Sequence, residues 1–389
     1  MKRLFAMLLA ACMTCSCLIL FVSCREKDPP PTFEEGIYER GGAGERLFRN
    51  YFFYYDNNQI KYQMLDDPQP GGLPIYGDTL SGTDDNPFWD MTAKTPYIFV
   101  DEQATQENNG VPVLLIIYQY FHITTKKDGW KLGSFDMATN RLTVIKDDFE
   151  SNVLDPGIYG NWLFYSTREP EQGTILHRMR TDGSDLCSMK NPEKKYFRMQ
   201  GVYQNKIYYQ DYAKGTLYCA DWNFENETYL FEGISGPTHV FVANGYAYYL
   251  AHAQKQQINE QHSTSSYDLC RRSVTDPSKE ETVLSNVING QAHGSAFYYN
   301  PLDSYKSFTF DGTDAHNYGA GDLYLYDTVT GESRLVYSTG EEPIMIYMRA
   351  RSEQYVMLRE SYIKASGRSG YGNRICVNLQ TGESVVIPE

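Results

Sequence analysis

Histidines and carboxylates are the natural start for chemistry, and in this chain of 389 residues they form no reactive pattern. The seven His are scattered, without the His-x-Glu or His-Glu-x-x-His spacing that presents two ligands to one metal. His252, His262 and His316 fall near long connections, the one place where a shared metal could form. Asp311-Gly312-Thr313-Asp314 and Asp84-Asp85-Asn86 offer oxygen ligands suited to Ca²⁺, but without EF-hand spacing. Both read as turns, and no cofactor is expected. Glu280-Glu281 and Glu341-Glu342 read as solvated turns rather than an acid/base pair. There is no Gly-x-Ser-x-Gly elbow to expose a nucleophilic serine and no Gly-rich phosphate loop. No residue is put forward as catalytic.

What remains is the chemistry of recognition. Aromatic rings and arginines are favoured anchors of binding surfaces. The long connections gather Trp89, His262, Tyr305, Phe308, Phe310, His316, Tyr318, Arg368 and Tyr371. The bland alternative is that these residues pack on one another as decoration.

One residue does sit in a setting for a covalent reaction. Lys2 and Arg3 precede an apolar run from Leu4 to Val22, which ends in Ser23-Cys24. A basic start, an apolar middle and a small residue before the break make a secretory signal, although the run is also long enough for an uncleaved span. Phe21-Val22-Ser23-Cys24 resembles the bacterial lipobox, with Phe21 in place of the usual Leu. The resemblance implies lipidation at Cys24, and several acyl chains on one Cys give stable anchoring. Residues 1–23 then form the signal and 24–33 a lipidated, Pro-rich tether. Residues 34–389 form the folded body. The expected location is the cell envelope, on the extracytoplasmic side of a membrane.

The elements that would position the candidate anchors are strands. The 33 Tyr and 14% aromatic content favour sheet over helix. The stretch 200–232 reads as a four-stranded antiparallel unit. Gly201-Val202-Tyr203 is followed by a turn at Asn205-Lys206, then Ile207–Asp211, Thr216–Asp221 and Thr228–Phe231. Counterparts of its second strand are Trp162–Thr167, Tyr246–Tyr249, Ala296–Tyr299 and Tyr355–Met357. Counterparts of its third are Ile175–Met179, Leu323–Asp327 and Ile375–Asn378, each entering a Gly-containing turn. Four-stranded repeats of roughly forty to fifty residues mark a β-propeller. The count is seven blades, with six or eight as alternatives; a two-sheet sandwich would not repeat the turn motifs.

Ile207-Tyr208-Tyr209-Gln210-Asp211 resembles the I-Y-W-T-D strand of low-density-lipoprotein-receptor-type propellers. Leu217–Asp221 and Ile175–Gly183 are similar to the strand and turn that follow it. The set resembles a bacterial family of uncharacterised, often lipid-anchored propellers over about residues 152–389. Tyr165, Tyr209 and Tyr249 stand where that family has Trp. The resemblance implies a recognition platform with six blades and carries over no catalytic residue.

Second-to-third-strand loops and blade-to-blade connections open on one face of a propeller. Long loops are expected there at 253–266, 301–321 and 363–373, with the connection 77–94 beside them. Binding residues concentrate on loops held by rigid scaffolds. The formal charge of −14 becomes −16 once Lys2 and Arg3 leave with the signal, which argues against nucleic acid as a partner. The leading expectation is a lipid-anchored platform for a protein, peptide or glycan. A carbohydrate lyase or hydrolase and a structural envelope subunit are the alternatives. The four cysteines after Cys24 (Cys187, Cys219, Cys270 and Cys376) are expected to be buried free thiols.

Overall fold

The computed structural model describes residues 38–41, 44–56, 59–75, 95–122, 127–147, 149, 152–169, 173–234, 240–258, 260, 263–309, 316–342, 344–363 and 369–388. Cys24 and the leader therefore lie outside the described residues. Gly36–Glu389 is one compact unit. No helix among the described residues is long and apolar enough to cross a membrane.

The protein is all-β. The first blade is Glu45–Phe48, Tyr51–Asp56, Gln59–Met64 and Leu73–Pro74, and the second is Tyr97–Val100, Val113–His122, Lys127–Asp136 and Arg141–Lys146. The third runs from Val153–Tyr159 to Cys187–Ser188, and the fourth from Phe197–Tyr203 to Thr228–Phe231. The seventh spans Met345–Arg351 to Ser384–Ile387. Each is an antiparallel meander with neighbours in chain order. The fifth and sixth fuse into one seven-stranded sheet, because Glu280–His293 serves both. Its first half pairs with Ser263–Ser273 and its second with Ala296–Pro301. Val287, fully buried, is the pivot: it pairs with Tyr267 on one side and Pro301 on the other.

Alternation of apolar residues on both faces suits sheets that stack blade against blade. The second strand of the fourth blade is buried from Ile207 to Asp211. Between the fourth and fifth blades lie Leu217, Cys219, Phe231, Ala247, Tyr249 and Cys270. Cys219 and Cys376 occupy matching positions, opposite Tyr208 and Met357, and both are buried free thiols, as is Cys270. Cys187 departs from the expectation: it is only partly buried, at the edge of a two-residue strand.

Ring closure is by side chains. All four strands of the seventh blade come from residues 345–387, and no N-terminal strand completes it among the described residues. Leu47, Phe52, Tyr54 and Leu65 of the first blade pack instead on Ala350, Met357, Cys376 and Ile387 of the seventh. Fully burying one such apolar side chain is worth about 1.5–3 kcal/mol, so this interface can hold without shared strands. The Gln63 amide adds a bond to the Pro388 carbonyl at 3.0 Å. The N-terminal strand Glu39–Arg40 goes elsewhere. It pairs with Val153–Tyr159, the first strand of the third blade.

One helix, Glu102–Glu107, was not expected from the sequence. It follows the first strand of the second blade and is capped by Asp101, whose Oδ1 accepts the Ala104 N–H at 2.9 Å.

Candidate functional site

The long connections are mostly strands, which corrects the expectation of loops. In the fifth blade Tyr246–Gln257 and Ser263–Ser273 pair out to Gln257 and Ser263. In the seventh, Tyr355–Ile363 and Ser369–Asn378 pair out to Ile363 and Ser369. The second blade does the same with two ten-residue strands, Val113–His122 and Lys127–Asp136. The counterparts in the fourth blade are six residues each. Backbone hydrogen bonds continuing outward make these extensions stiff platforms rather than tethers.

The sixth blade does something different. After Pro301 a turn at Leu302–Ser304 leads into a separate two-stranded hairpin, Tyr305–Thr309 with His316–Ala320. That hairpin packs against Met345–Arg351 of the seventh blade, with Gly319 lying on Met345.

Of the anchors expected from the sequence, Trp89, His262, Phe310 and Arg368 lie outside the described residues. Phe308, His316 and Tyr318 share the two-stranded hairpin by backbone register, Phe308 beside Asn317 and Tyr318 beside Ser307. Tyr305 opens the hairpin opposite Ala320 and is partly buried. Tyr371 is 68% exposed on the seventh-blade extension, with the Arg359 guanidinium 5.6 Å from its ring centre. The structure thus groups Tyr305, Phe308, His316 and Tyr318 on one hairpin and puts Tyr371 on the next blade's extension.

A second concentration of chemistry lies at the axis. Glu39 is held by the third blade through its pairing with Ile158. Its carboxylate nevertheless forms an ion pair with Arg46 of the first blade and lies 3.9 Å from His293 of the sixth. Only a residue at the centre of the ring can reach three such blades. Next to it, Arg40 donates to the Met199 carbonyl of the fourth blade at 3.1 Å and lies 3.7 Å from Asp155. Arg198 completes that group, 2.9 Å from Asp155. Arg351 of the seventh blade donates to the Ala292 carbonyl and the Gln291 side chain, both at 2.8 Å.

The electrostatics of the axis are those of crowded cations. Burial pushes the Arg46 guanidinium down to about 10, and Arg351 beside it adds to the effect. Burial likewise pushes Arg351 down to about 10, with Arg40 contributing. His293 is pushed down to about 3, by burial first and then by Arg351 and Arg46. Glu39 at 3.9 Å would favour the imidazolium, but its carboxylate is already engaged by Arg46. The Tyr38 hydroxyl, Arg40 Nε and Arg46 Nε are buried without a hydrogen-bond partner among the described residues.

The fit of the N-terminal strand is close. A Cβ on Gly157 would stand 2.7 Å from Cε2 of Tyr38, and one on Gly41 would stand 2.6 Å from Cζ of Phe99. Glycine is required at these contacts because backbone and ring share the space.

A third cluster lies between the fourth and fifth blades. His252, Cys270 and Glu280 offer ligand atoms within 4.8 Å of one another. The cluster is poorly suited to a cation. The Glu280 carboxylate accepts from Tyr249, from His252 at 2.7 Å and from Arg272 at 3.1 Å. Burial raises its pKa, but these three bonds outweigh burial and hold it below the usual carboxylate range. Burial pushes the Cys270 thiol up to about 11, so it keeps its proton. The reading of Glu280-Glu281 as a solvated turn is thereby corrected: both begin a strand, and Glu281 pairs with Arg271 at 2.9 Å.

A polar partner for the second-strand phenol recurs in other blades. Tyr209 donates to Glu227 at 2.6 Å, and Tyr299 to Ser333 at 3.1 Å. In the third blade Tyr165 stacks on His177 with centroids 4.7 Å apart. A Tyr buried between blades must satisfy its O–H, and in three blades the outermost strand or the turn before it supplies the acceptor.

No protein-family model matches the chain, and no curated protein matches it significantly. Solved structures do. The β-propeller domain of the Trilobed protease from Pyrococcus furiosus, described as having an open velcro topology, aligns with TM-score 0.52 over 90% of this chain and 98% of that one. The chain is a β-propeller. An acylaminoacyl peptidase solved with Z-Gly-Gly-Phe-chloromethyl ketone aligns with TM-score 0.50 and 12% identity over 90% of this chain and 52% of its own. A chain from a structural and mechanistic study of two prolyl endopeptidases aligns with TM-score 0.50 and 12% identity over 91% of this chain and 49% of its own. This propeller therefore spans about half the length of those peptidase chains. Identity to the archaeal propeller is 11%, so the likeness is one of fold.

Sequence reasoning missed the axial residues. Their signal was present but spread over more than 300 positions. His293 and Arg351 stand where Tyr159 and Tyr203 end the first strands of other blades.

Proposed function

We propose that this protein is a lipid-anchored, extracytoplasmic bacterial propeller that acts as a recognition platform for a protein, peptide or glycan. Its blades would be of the low-density-lipoprotein-receptor type. The observation that carries the reading is the prolongation of second and third strands into hairpins on several blades. Strand extensions give a partner a stiff, aromatic-bearing edge on a rigid body, the arrangement in which binding residues are usually found. The exposed Tyr371 ring beside Arg359 supplies an anchor of the favoured kind. Anchoring through Cys24 would leave the body free to meet that partner.

Two experiments test the reading. Cys24→Ala should release the protein from membranes; continued retention would overturn the lipid anchor. Tyr371→Ala with Tyr305→Ala should abolish recovery of partners by the immobilised protein from envelope extracts. Unchanged recovery would remove the hairpin face from consideration.

A further inference from the structure

The axial channel has an occupant that belongs to the chain itself. Glu39 is delivered across the axis by Tyr38–Gly41, and its carboxylate is met by Arg46 while His293 lies 3.9 Å away. Arg351 interacts electrostatically with Arg46 and with Arg40, and His293 with Arg351 and Arg46. The carboxylates facing these guanidiniums are Glu39 and Asp155, with Glu102 at longer range. Arg351 donates to the Ala292 carbonyl and the Gln291 amide oxygen rather than to a carboxylate. Arg46, whose side chain is 9% exposed, has an Nε–H without a partner among the described residues. A chain with net charge −14 has thus gathered surplus positive charge at its axis.

We propose that the axial channel is a binding site for ligands bearing a carboxylate, and that Glu39 is its tethered occupant. Burying several guanidiniums is costly unless an anion with matching geometry is supplied. A planar carboxylate fits the fork of an Arg, and the free Nε–H of Arg46 offers a further donor to an anion better placed than Glu39. Tyr38–Gly41 is held by two pairing positions, by ring contacts with Gly157 and Phe164, by the Gly41 N–H to the Pro156 carbonyl and by the Arg40 contacts with Met199 and Asp155. A short strand of this kind can be displaced without dismantling a blade. The proposal rests on the recognition reading but concerns the axis, so it stands or fails independently of the hairpin face.

The test uses the full chain with Glu39→Ala and N-acetylglutamate as probe. The variant should bind the probe at least tenfold more tightly than the unaltered protein by calorimetry. N-acetylglutamine, lacking the charge, should give no heat. Adding Arg46→Gln should remove the gained binding. A folded Glu39→Ala protein that does not bind N-acetylglutamate, or that binds sulfate equally well, overturns the proposal. If Glu39→Ala fails to fold, N-acetylglutamate should restore its circular dichroism where N-acetylglutamine does not. Absence of that rescue likewise overturns it.

Discussion

Tyr249 donates its phenolic hydrogen to the carboxylate of Glu280, tying the second strand of the fifth blade to the strand it shares with the sixth. Arg272 and His252 close on the same carboxylate. Removing the phenolic hydroxyl in Tyr249→Phe leaves two donors on Glu280 but takes away two hydrogen bonds, since Arg272 Nε also donates to the Tyr249 oxygen at 2.7 Å. The expected loss is about 1–2 kcal/mol, read as a shift in denaturant midpoint at unchanged slope. Because the folded-state pKa of Glu280 is depressed, its stabilisation is present above its unfolded value of 4.5 and is lost as pH falls through the folded value. Glu280→Gln should flatten that acid limb. An unaltered limb would show that the carboxylate is not charged in the folded protein.

His293 acts on stability in the same direction but at milder pH. Its folded value of about 3 lies below the unfolded 6.5. Between these limits the unfolded chain binds a proton that the folded one does not, so stability rises with pH across the window. The slope is about 1.4 kcal/mol per pH unit, or about 2 kcal/mol between pH 6.5 and 5. Facing the imidazole are Arg46, Arg351 and the Arg46-bound Glu39. Equilibrium unfolding of His293→Gln should lose this slope, and an identical pH profile would refute the burial of a neutral ring.

Gly157 and Tyr38 make a packing pair that can be tested by cycle. Gly157→Ala should destabilise by about 1–3 kcal/mol through overpacking on the Tyr38 ring. It should also expose Tyr38–Gly41 to limited proteolysis. Tyr38→Ala clears the space, so the double variant should be more stable than the sum of the single losses implies. Simple additivity would mean that the N-terminal strand is not seated on the third blade.

The thiols offer a chemical reading of blade packing. Burial pushes Cys376 up to about 12 and Cys270 up to about 11, and Cys219 is raised as well. In the folded protein an aromatic disulfide reagent should react first with Cys187, which is only partly buried. The other three should react only at the rate of unfolding. Rapid reaction at Cys376 would show that the seam between the first and seventh blades opens in solution.

The scaffold was legible because each blade restates it. Tyr165, Tyr209, Tyr249 and Tyr299 fall at one position of four second strands, and the turns before them carry Gly or Asn. Alternation and turn residues fix a meander locally, without knowledge of the rest of the chain. The hairpin extensions were located but misread as loops, since Gln254–Gln257 and Ser263–Ser266 carry polar side chains while their backbones stay paired. Polar composition reports exposure to water and is silent about the ladder. The axis was invisible for a different reason. Glu39, Arg46, His293 and Arg351 meet only when the ring closes, and no local pattern encodes a meeting across such separations.

The shared strand Glu280–His293 has a consequence for how the ring comes apart. Elsewhere the blades are separate ladders, so one can fray while its neighbours keep their own hydrogen bonds. The fifth and sixth cannot, because melting the edge of one withdraws the first strand of the other. Amide exchange should therefore report Phe241–Ala243 through Ser333–Ser338 opening as a single cooperative unit, while the fourth blade exchanges on its own schedule. The smallest unit of sequence repetition in this protein is then not, along that arc, the smallest unit of unfolding.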